Sequence, residues 1–265
     1  MTSQVTRILR HMGSLSFTAS VPVFDANVGV GHLDDDCAPF SDKAGLLEEM
    51  ARHGVDRSVI YHVRGETRAT REGNELLTRW ADGEGEALNL QFVSGPDEEC
   101  LRQLQQRHAS NPIASVRLHS TGRLGLPFVD DLYGDLLTWL ESEGIPLWLS
   151  LSDTDPTEAM TTLARFPDLV TVLVGAHYMH YSFVRPLLRS LPGTVMELSR
   201  YETMGQVESL LEEFGCERFV YGSYYPRYSM GEMLFYLHHM DLSPAELAAI
   251  CAGNLERILT RRSRG

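Results

Sequence analysis

The chain has 265 residues, 43% of them hydrophobic and 22% charged, and a formal charge of -13, the composition of a globular protein with ample core material and no signature of disorder. No run of about 18 apolar residues occurs, so no membrane-spanning helix is expected. The acidic balance repels phosphate backbones, and the short basic tail Arg261, Arg262 and Arg264 is too small to offset it, which argues against a nucleic-acid partner.

Residues 1–20 are polar and lack the apolar segment of a secretory leader, so they read as an N-terminal arm on a cytoplasmic protein. From residue 21 to the end, short β-rich runs alternate with amphipathic helical patterns without a composition break, which predicts one domain over 21–265. The predicted strands are VPVFDAN (21–27), RSVIYHV (57–63), ALNLQFV (87–93), IASVRLH (113–119), IPLWLSL (145–151), LVTVLVGAH (169–177), TVMELS (194–199) and RFVYGS (218–223). Boundary signals mark the helices between them: Ser41 before DKAGLLEEMARH with Gly54 after it, Asp155-Pro156 before TEAMTTLARF, and Ser243-Pro244 before AELAAICAG. Cys37, Cys100, Cys216 and Cys251 are scattered, without CxxC spacing, and read as reduced thiols. Eight strands, each followed by a helix, predict a closed (β/α)8 TIM barrel. An open doubly wound sheet shares the local pattern, but count and length favour the barrel.

Strand side chains alternate between the helix-facing side and the barrel axis. In the fourth strand Ala114, Val116 and Leu118 form the apolar set, which turns Ser115, Arg117 and His119 inward. In the seventh, Met196 and Leu198 go out, and Glu197 and Ser199 go in. The same rule directs Asp25, Asn27, His62, Asn89, Gln91, Trp148, Ser150, His177 and Tyr224 to the axis. Barrel interiors are normally filled by branched apolar side chains, and an unpaired buried charge costs several kcal/mol, so this polar set needs a reason. One reason is an internal network, with Arg117 paired to Asp25 or Glu197. The other is a site converging on a ligand, favoured because the residues come from several strands and lie mainly at their C-terminal ends.

Four stretches carry a resemblance to a known family: FDANVGVG after the first strand, GIPLWLSLSD at the fifth, LVTVLVGAH at the sixth and ERFVYGSYYPRYS at the eighth, followed by GNLERIL. They resemble the amidohydrolase-related barrels of the amidohydrolase 2 group over residues 21–260. The resemblance implies a metal site at positions where this chain departs from the pattern. The DxHxH of the first strand reads Asp25-Ala26-Asn27-Val28-Gly29, the strand-five histidine falls on Ser150, and the strand-eight aspartate falls on Tyr224. His177 alone matches the strand-six histidine.

The resulting expectation is a metal-independent enzyme doing acid-base chemistry, hydrolytic or of the lyase or isomerase type, on a small polar, anionic metabolite. His177 is the expected general acid or base, and Arg117 the anchor for a carboxylate. His119, Asp25, Glu197 and Tyr224 would orient or complete the proton transfers, and Asn27, His62, Trp148, Ser150, Tyr178, Tyr225 and Arg227 would bind substrate. No cofactor is expected. Two alternatives stand beside this reading. The first is an inactive barrel, a pseudoenzyme, that binds a small ligand or a partner protein through Tyr224, Trp148 and the loop YYPRY (224–228). The second is a relocated divalent metal held by His62, His119 and His177. The N-terminal arm would either cover the barrel bottom or pair with another subunit, which leaves a homo-oligomer open.

Overall fold

The computed structural model describes residues 17–31, 42–81, 87–203 and 205–260. Their first half runs through β1 (Phe24–Val30), α1 (Lys43–His53), β2 (Arg57–His62), α2 (Val63–Thr67), α3 (Thr70–Trp80), β3 (Leu88–Leu90), β4 (Phe92–Ser94), α4 (Glu98–Ser110), β5 (Val116–Leu118), α5 (Thr121–Leu124) and α6 (Asp130–Glu143). The second half adds β6 (Leu147–Ser150), α7 (Pro156–Leu163), β7 (Thr171–Val174), α8 (Tyr181–Ser190), β8 (Thr194–Glu197), α9 (Gln206–Phe214), β9 (Phe219–Val220), α10 (Gly231–His238), α11 (Pro244–Ala248) and α12 (Asn254–Thr260).

Every strand pairs in parallel with its neighbour, in the orders β1-β2-β3 and β4 through β9. The expected third strand is split into β3 and β4 at Gln91, whose backbone N–H still donates to Ile60 O at 2.9 Å. The other seam is closed by Ala26 N to Tyr221 O (3.1 Å) and Gly29 N to Tyr225 O (2.7 Å). Eight strand positions thus form one TIM barrel wrapped by helices.

The helix starts follow from their first residues. Asp42 caps α1, its carboxylate accepting from Gly45 N at 2.7 Å, and Gly54 ends that helix in the left-handed conformation. Asp155 accepts from Thr157 N and Glu158 N ahead of Pro156. Ser243 and Glu246 cap each other's backbone at the start of α11. Ser41, Cys37, most of the N-terminal arm and the basic tail lie outside the described residues. Cys100, Cys216 and Cys251 are free thiols.

The barrel interior is layered. Its lower part is apolar, built from Phe24, Ala26, Val59, Trp148, Val172, Val174, Val195 and Val220 and closed by Ala252, Leu255 and Ile258 of the C-terminal segment. The polar interior predicted from alternation is therefore confined to the upper part, because the lower strand residues are the branched ones that barrels pack there.

In β1 and β2 two inward assignments are corrected. A one-residue bulge in β1 between Asp25 and Val28 puts Asp25 in step with Ser58 on the helix-facing side, while Ala26 and Asn27 both turn inward. In β2 it is Val59 and Tyr61 that face inward, so His62 falls on the outer face with Ile60, a member of the helix-facing core.

Candidate functional site

The site begins with a short helix that sequence periodicity did not single out. β2 runs directly into α2, where His62 acts as the cap, its Nδ1 accepting from Arg64 N at 3.3 Å. α2 and α3 meet at Gly65 and Gly73. A Cβ on Gly73 would lie 2.2 Å from Gly65 N and Cα, so this approach is open only to glycine. It carries Glu66 and Thr67 inward, where they are 4% and 6% exposed.

Glu66 meets Arg117 on β5. Arg117 Nε donates to Glu66 Oε1 at 2.7 Å and Nη1 donates to Asn27 Oδ1 at 3.2 Å, while the guanidinium stacks 3.8 Å from the Tyr61 ring centroid. Asn27 Nδ2 in turn donates to Glu197 Oε2 at 3.1 Å, and Glu197 also accepts from Ser199 N (2.5 Å) and Ser199 Oγ (2.9 Å). The result is one buried chain, Glu66–Arg117–Asn27–Glu197–Ser199, across three strands and one helix. Burial opposes the charge on Arg117, but Glu66, Tyr61 and Tyr224 outweigh it and hold the guanidinium firmly protonated. Burial pushes Glu197 up to about 6, with Asp25 adding repulsion against the Ser199 and Asn27 hydrogen bonds. Gly222 makes room for that carboxylate, since a Cβ there would lie 2.5 Å from Glu197 Oε1.

Beside this chain several buried polar atoms have no hydrogen-bond partner among the described residues: Arg117 Nη2, Gln91 Oε1 and Ser150 Oγ. Gln91 spends its amide on Ser115 Oγ at 3.2 Å. Native interiors satisfy almost all such groups, and each one left unmet costs about 1–3 kcal/mol. The barrel interior thus holds buried donor and acceptor capacity that the described residues do not meet.

The remaining predicted residues are placed as follows. Asp25 Oδ1 accepts from Asn27 N and Ser223 N, both at 2.9 Å, pinning the β1–β9 seam, and burial raises its carboxyl to about 6. His119 leaves the axis for the helix layer, with Nε2 2.6 Å from Tyr133 Oη, and burial lowers it to about 4. His62 is likewise held at about 4 by burial and by Arg64. His177 stands beyond β7, because Gly175 (φ 70°) ends the strand before it. Its Nδ1 accepts from Met179 N at 3.3 Å, its backbone N–H donates to His180 Nδ1 at 3.1 Å, and burial with Arg200 lowers its pKa. Trp148 is fully buried and donates to Ala26 O at 2.9 Å, filling the barrel below the site. Tyr178 is 62% exposed on the rim.

Tyr224 follows β9, close to Arg117 and Glu66. It is buried at a positive φ of 55°, its hydroxyl accepts from Arg227 Nη1 at 3.2 Å, and its ring lies over Tyr228 at 6.2 Å. Burial, together with Glu66, raises its phenol to about 12. Tyr225 contributes to the seam through its backbone carbonyl. Alternation brought Arg117, Asn27, Glu197 and Ser150 to the axis. It missed Glu66, Tyr61 and Tyr133. Tyr61 was readable from Val59, which shares its face, whereas Glu66 left only the weak signal of Gly65 and Gly73.

The three histidines do not converge. His62 caps α2, His119 faces α6 and His177 stands on the rim, and among the described residues no group of three or more His, Cys, Asp or Glu side chains is placed to hold a metal ion. The metal positions implied by the resemblance do not fit one either. Asn27 is committed between Arg117 and Glu197, and a Cβ on Gly29 would lie 2.8 Å from Val63 Cγ1. The charge beside them is a guanidinium.

A family model described as amidohydrolase matches residues 38–261. No curated protein sequence matches the chain. Among solved structures, 5-carboxyvanillate decarboxylase from Sphingomonas paucimobilis superimposes with a TM-score of 0.70 at 16% identity, covering 91% of this chain and 99% of that one. A dihydroxybenzoic acid decarboxylase from Polaromonas sp. JS666, solved with bound manganese and an inhibitor, gives 0.72 at 10% identity, covering 90% and 97%. 4-Oxalomesaconate hydratase from Rhodopseudomonas palustris gives 0.66 at 15%, covering 89% and 95%.

Proposed function

The chain belongs to the amidohydrolase family, and on that premise we propose that it is a metal-independent enzyme performing acid-base chemistry of the lyase or hydrolase type on a small anionic metabolite bound at the upper barrel axis. The observation that carries this reading is Arg117: its Nε and Nη1 are fixed by Glu66 and Asn27 while its buried Nη2 has no partner among the described residues. A guanidinium held this way keeps one uncommitted donor for a carboxylate oxygen, reached once the side chains that bury it move aside. Ser150 Oγ and Gln91 Oε1 add further hydrogen-bonding capacity at the axis. Two of the similar structures, 5-carboxyvanillate decarboxylase and dihydroxybenzoic acid decarboxylase, are named for carboxylate-bearing compounds, which agrees with an anion anchor.

His177 would serve as a hydrogen-bond donor to the reacting molecule. With Nδ1 accepting from Met179 N, the neutral ring carries its hydrogen on Nε2, the tautomer that can donate a hydrogen bond from the rim. Glu197, held at about 6 by burial, can exchange a proton near neutrality, and Ser199 and Asn27 fix its orientation.

The test is turnover of small aromatic and aliphatic carboxylates by chelator-treated protein, followed by substrate absorbance and released carbon dioxide, beside Arg117→Lys and His177→Ala. Turnover that survives chelation and is lost in both variants supports the proposal. Turnover only after manganese or zinc is added, or turnover indifferent to both variants, overturns it.

A second reading, a barrel that binds without reacting, rests on Tyr224. That residue occupies the expected position of the strand-eight aspartate, is only 3% exposed, and is near enough to Arg117 and Glu66 for their charges to act on its phenol. Binding of carboxylates without turnover under the same conditions would favour this reading over the enzyme.

A further inference from the structure

The segments that follow β6, β7, β8 and β9 meet on the C-terminal rim around Arg200. Its Nη1 donates to Ser152 Oγ at 3.3 Å, and that hydroxyl donates in turn to Gly175 O at 2.8 Å, which ties the guanidinium to the ends of β6 and β7. The guanidinium carbon lies 5.3 Å from the Tyr228 ring centroid and 5.8 Å from that of Tyr224, and these two rings stack on each other. One hydroxyl and two ring faces therefore place Arg200, and such contacts orient a guanidinium without neutralising it. Although the chain carries a charge of -13, no described carboxylate forms an ion pair with Arg200. Glu202 acts on the neighbouring His177 and Asp153 on Tyr224, but neither reaches the guanidinium. Its Nη2 donates to no described residue, and the side chain is half-exposed, so this donor is open to solvent on the rim.

From this arrangement we propose that Arg200 is a specificity-determining residue, which selects substrates that carry a second anionic group. The inference rests on the axial reading, in which Arg117 takes the first anion. Tyr224 connects the two guanidiniums: its phenol feels the charge of Arg117, and its ring lies 5.8 Å from Arg200. A substrate held by Arg117 therefore has its outer end near Tyr224, within reach of the rim. There a second anion would accept a charge-assisted hydrogen bond from Arg200 Nη2, on a cation whose position is already fixed by Ser152 and the two rings. His177 stands beside it, with the hydrogen of its neutral ring on Nε2 and its pKa lowered by burial and by Arg200, and adds a neutral donor. A monoanion leaves Arg200 to water, whereas a dianion engages both guanidiniums, and discrimination is the difference between those two affinities.

The experiment is isothermal titration calorimetry of the full chain with benzoate, isophthalate and terephthalate, the last two holding a second carboxylate at two separations on the same ring. At least one dicarboxylate is expected to bind at least about tenfold tighter than benzoate, and in Arg200→Gln that ratio should fall to within about twofold. Ser152→Ala, which removes the acceptor of Nη1 and leaves the charge in place, should lower the ratio in the same direction, and decides the matter if Arg200→Gln does not give a cooperative melt. Added salt should shrink the preference. Arg117→Lys should weaken all three probes, because they share that anchor. If no probe binds the parent chain, or if Arg117→Lys leaves binding unchanged, the axial reading fails and this inference falls with it. If the probes bind through Arg117 but the dicarboxylates gain nothing, or if their advantage survives in Arg200→Gln, the role of Arg200 alone is refuted.

Discussion

Arg117 and Glu66 form an ion pair inside the barrel, Nε to Oε1 at 2.7 Å, with side chains 1% and 6% exposed. Removing one member of such a pair strands the other charge without its partner, which costs about 3–5 kcal/mol, whereas removing both is often close to neutral. Arg117→Met is therefore expected to lose several kcal/mol in urea unfolding, and the double variant Arg117→Met, Glu66→Leu to recover most of it. Additive losses would show that the two side chains are not coupled.

The second prediction concerns Glu197, which titrates at about 6 in the folded protein against an ordinary 4.5. Between those values the folded state keeps a proton that the unfolded chain has released. Its stabilising contribution is therefore complete below about pH 4.5 and is lost as pH rises through about 6. Glu197→Gln has no such titration. Stability of the parent protein minus that of the variant should fall by about 2 kcal/mol from acid to neutral pH. Paired urea titrations across that range measure it, and a flat or rising difference would contradict the burial argument.

Gly222 is expected to be intolerant of any side chain. Its added Cβ would lie 2.5 Å from Glu197 Oε1 and 2.6 Å from Cγ, so Gly222→Ala should cost about 1–3 kcal/mol through displacement of that buried carboxylate. The same substitution in a Glu197→Ala background should cost less, because the obstructing atoms are gone. Equal costs in the two backgrounds would place the strain elsewhere.

The fourth prediction is the response to metal. A ligand that binds only the folded state raises its stability in proportion to occupancy. With Asn27 committed to Arg117 and Glu197, and the three histidines apart, the melting temperature should be unchanged by a chelator or by added manganese or zinc. Elemental analysis of untagged protein accompanies the melting curves, and stoichiometric metal with a melting temperature that drops on chelation would be fatal to the metal-independent mechanism.

Alternation alone located Arg117, Glu197, Trp148 and Ser150 on the inner face. Each lies in a strand whose neighbouring residues, such as Val116 and Leu118 or Met196 and Leu198, mark the opposite face with large apolar side chains, and period two is a local property of extended backbone. Where that premise failed, the reading failed with it. A single extra residue in β1 reversed the parity of Asp25. RSVIYH is apolar on both faces, so His62 could be assigned to either, and Gly175 ended β7 before alternation could orient His177.

What the sequence determined by itself was therefore the eightfold repeat, the family resemblance and the set of polar residues that a barrel would have to house, since all three rest on short-range spacing. The tertiary structure decided how those residues are paired. Glu66 meets Arg117 across 51 positions of chain, and Asn27 meets Glu197 across 170, contacts that exist only because closure of the barrel and the Gly65–Gly73 crossing bring distant strand ends within hydrogen-bond reach. A buried charge requires a partner, but no local rule says which of several distant residues supplies it.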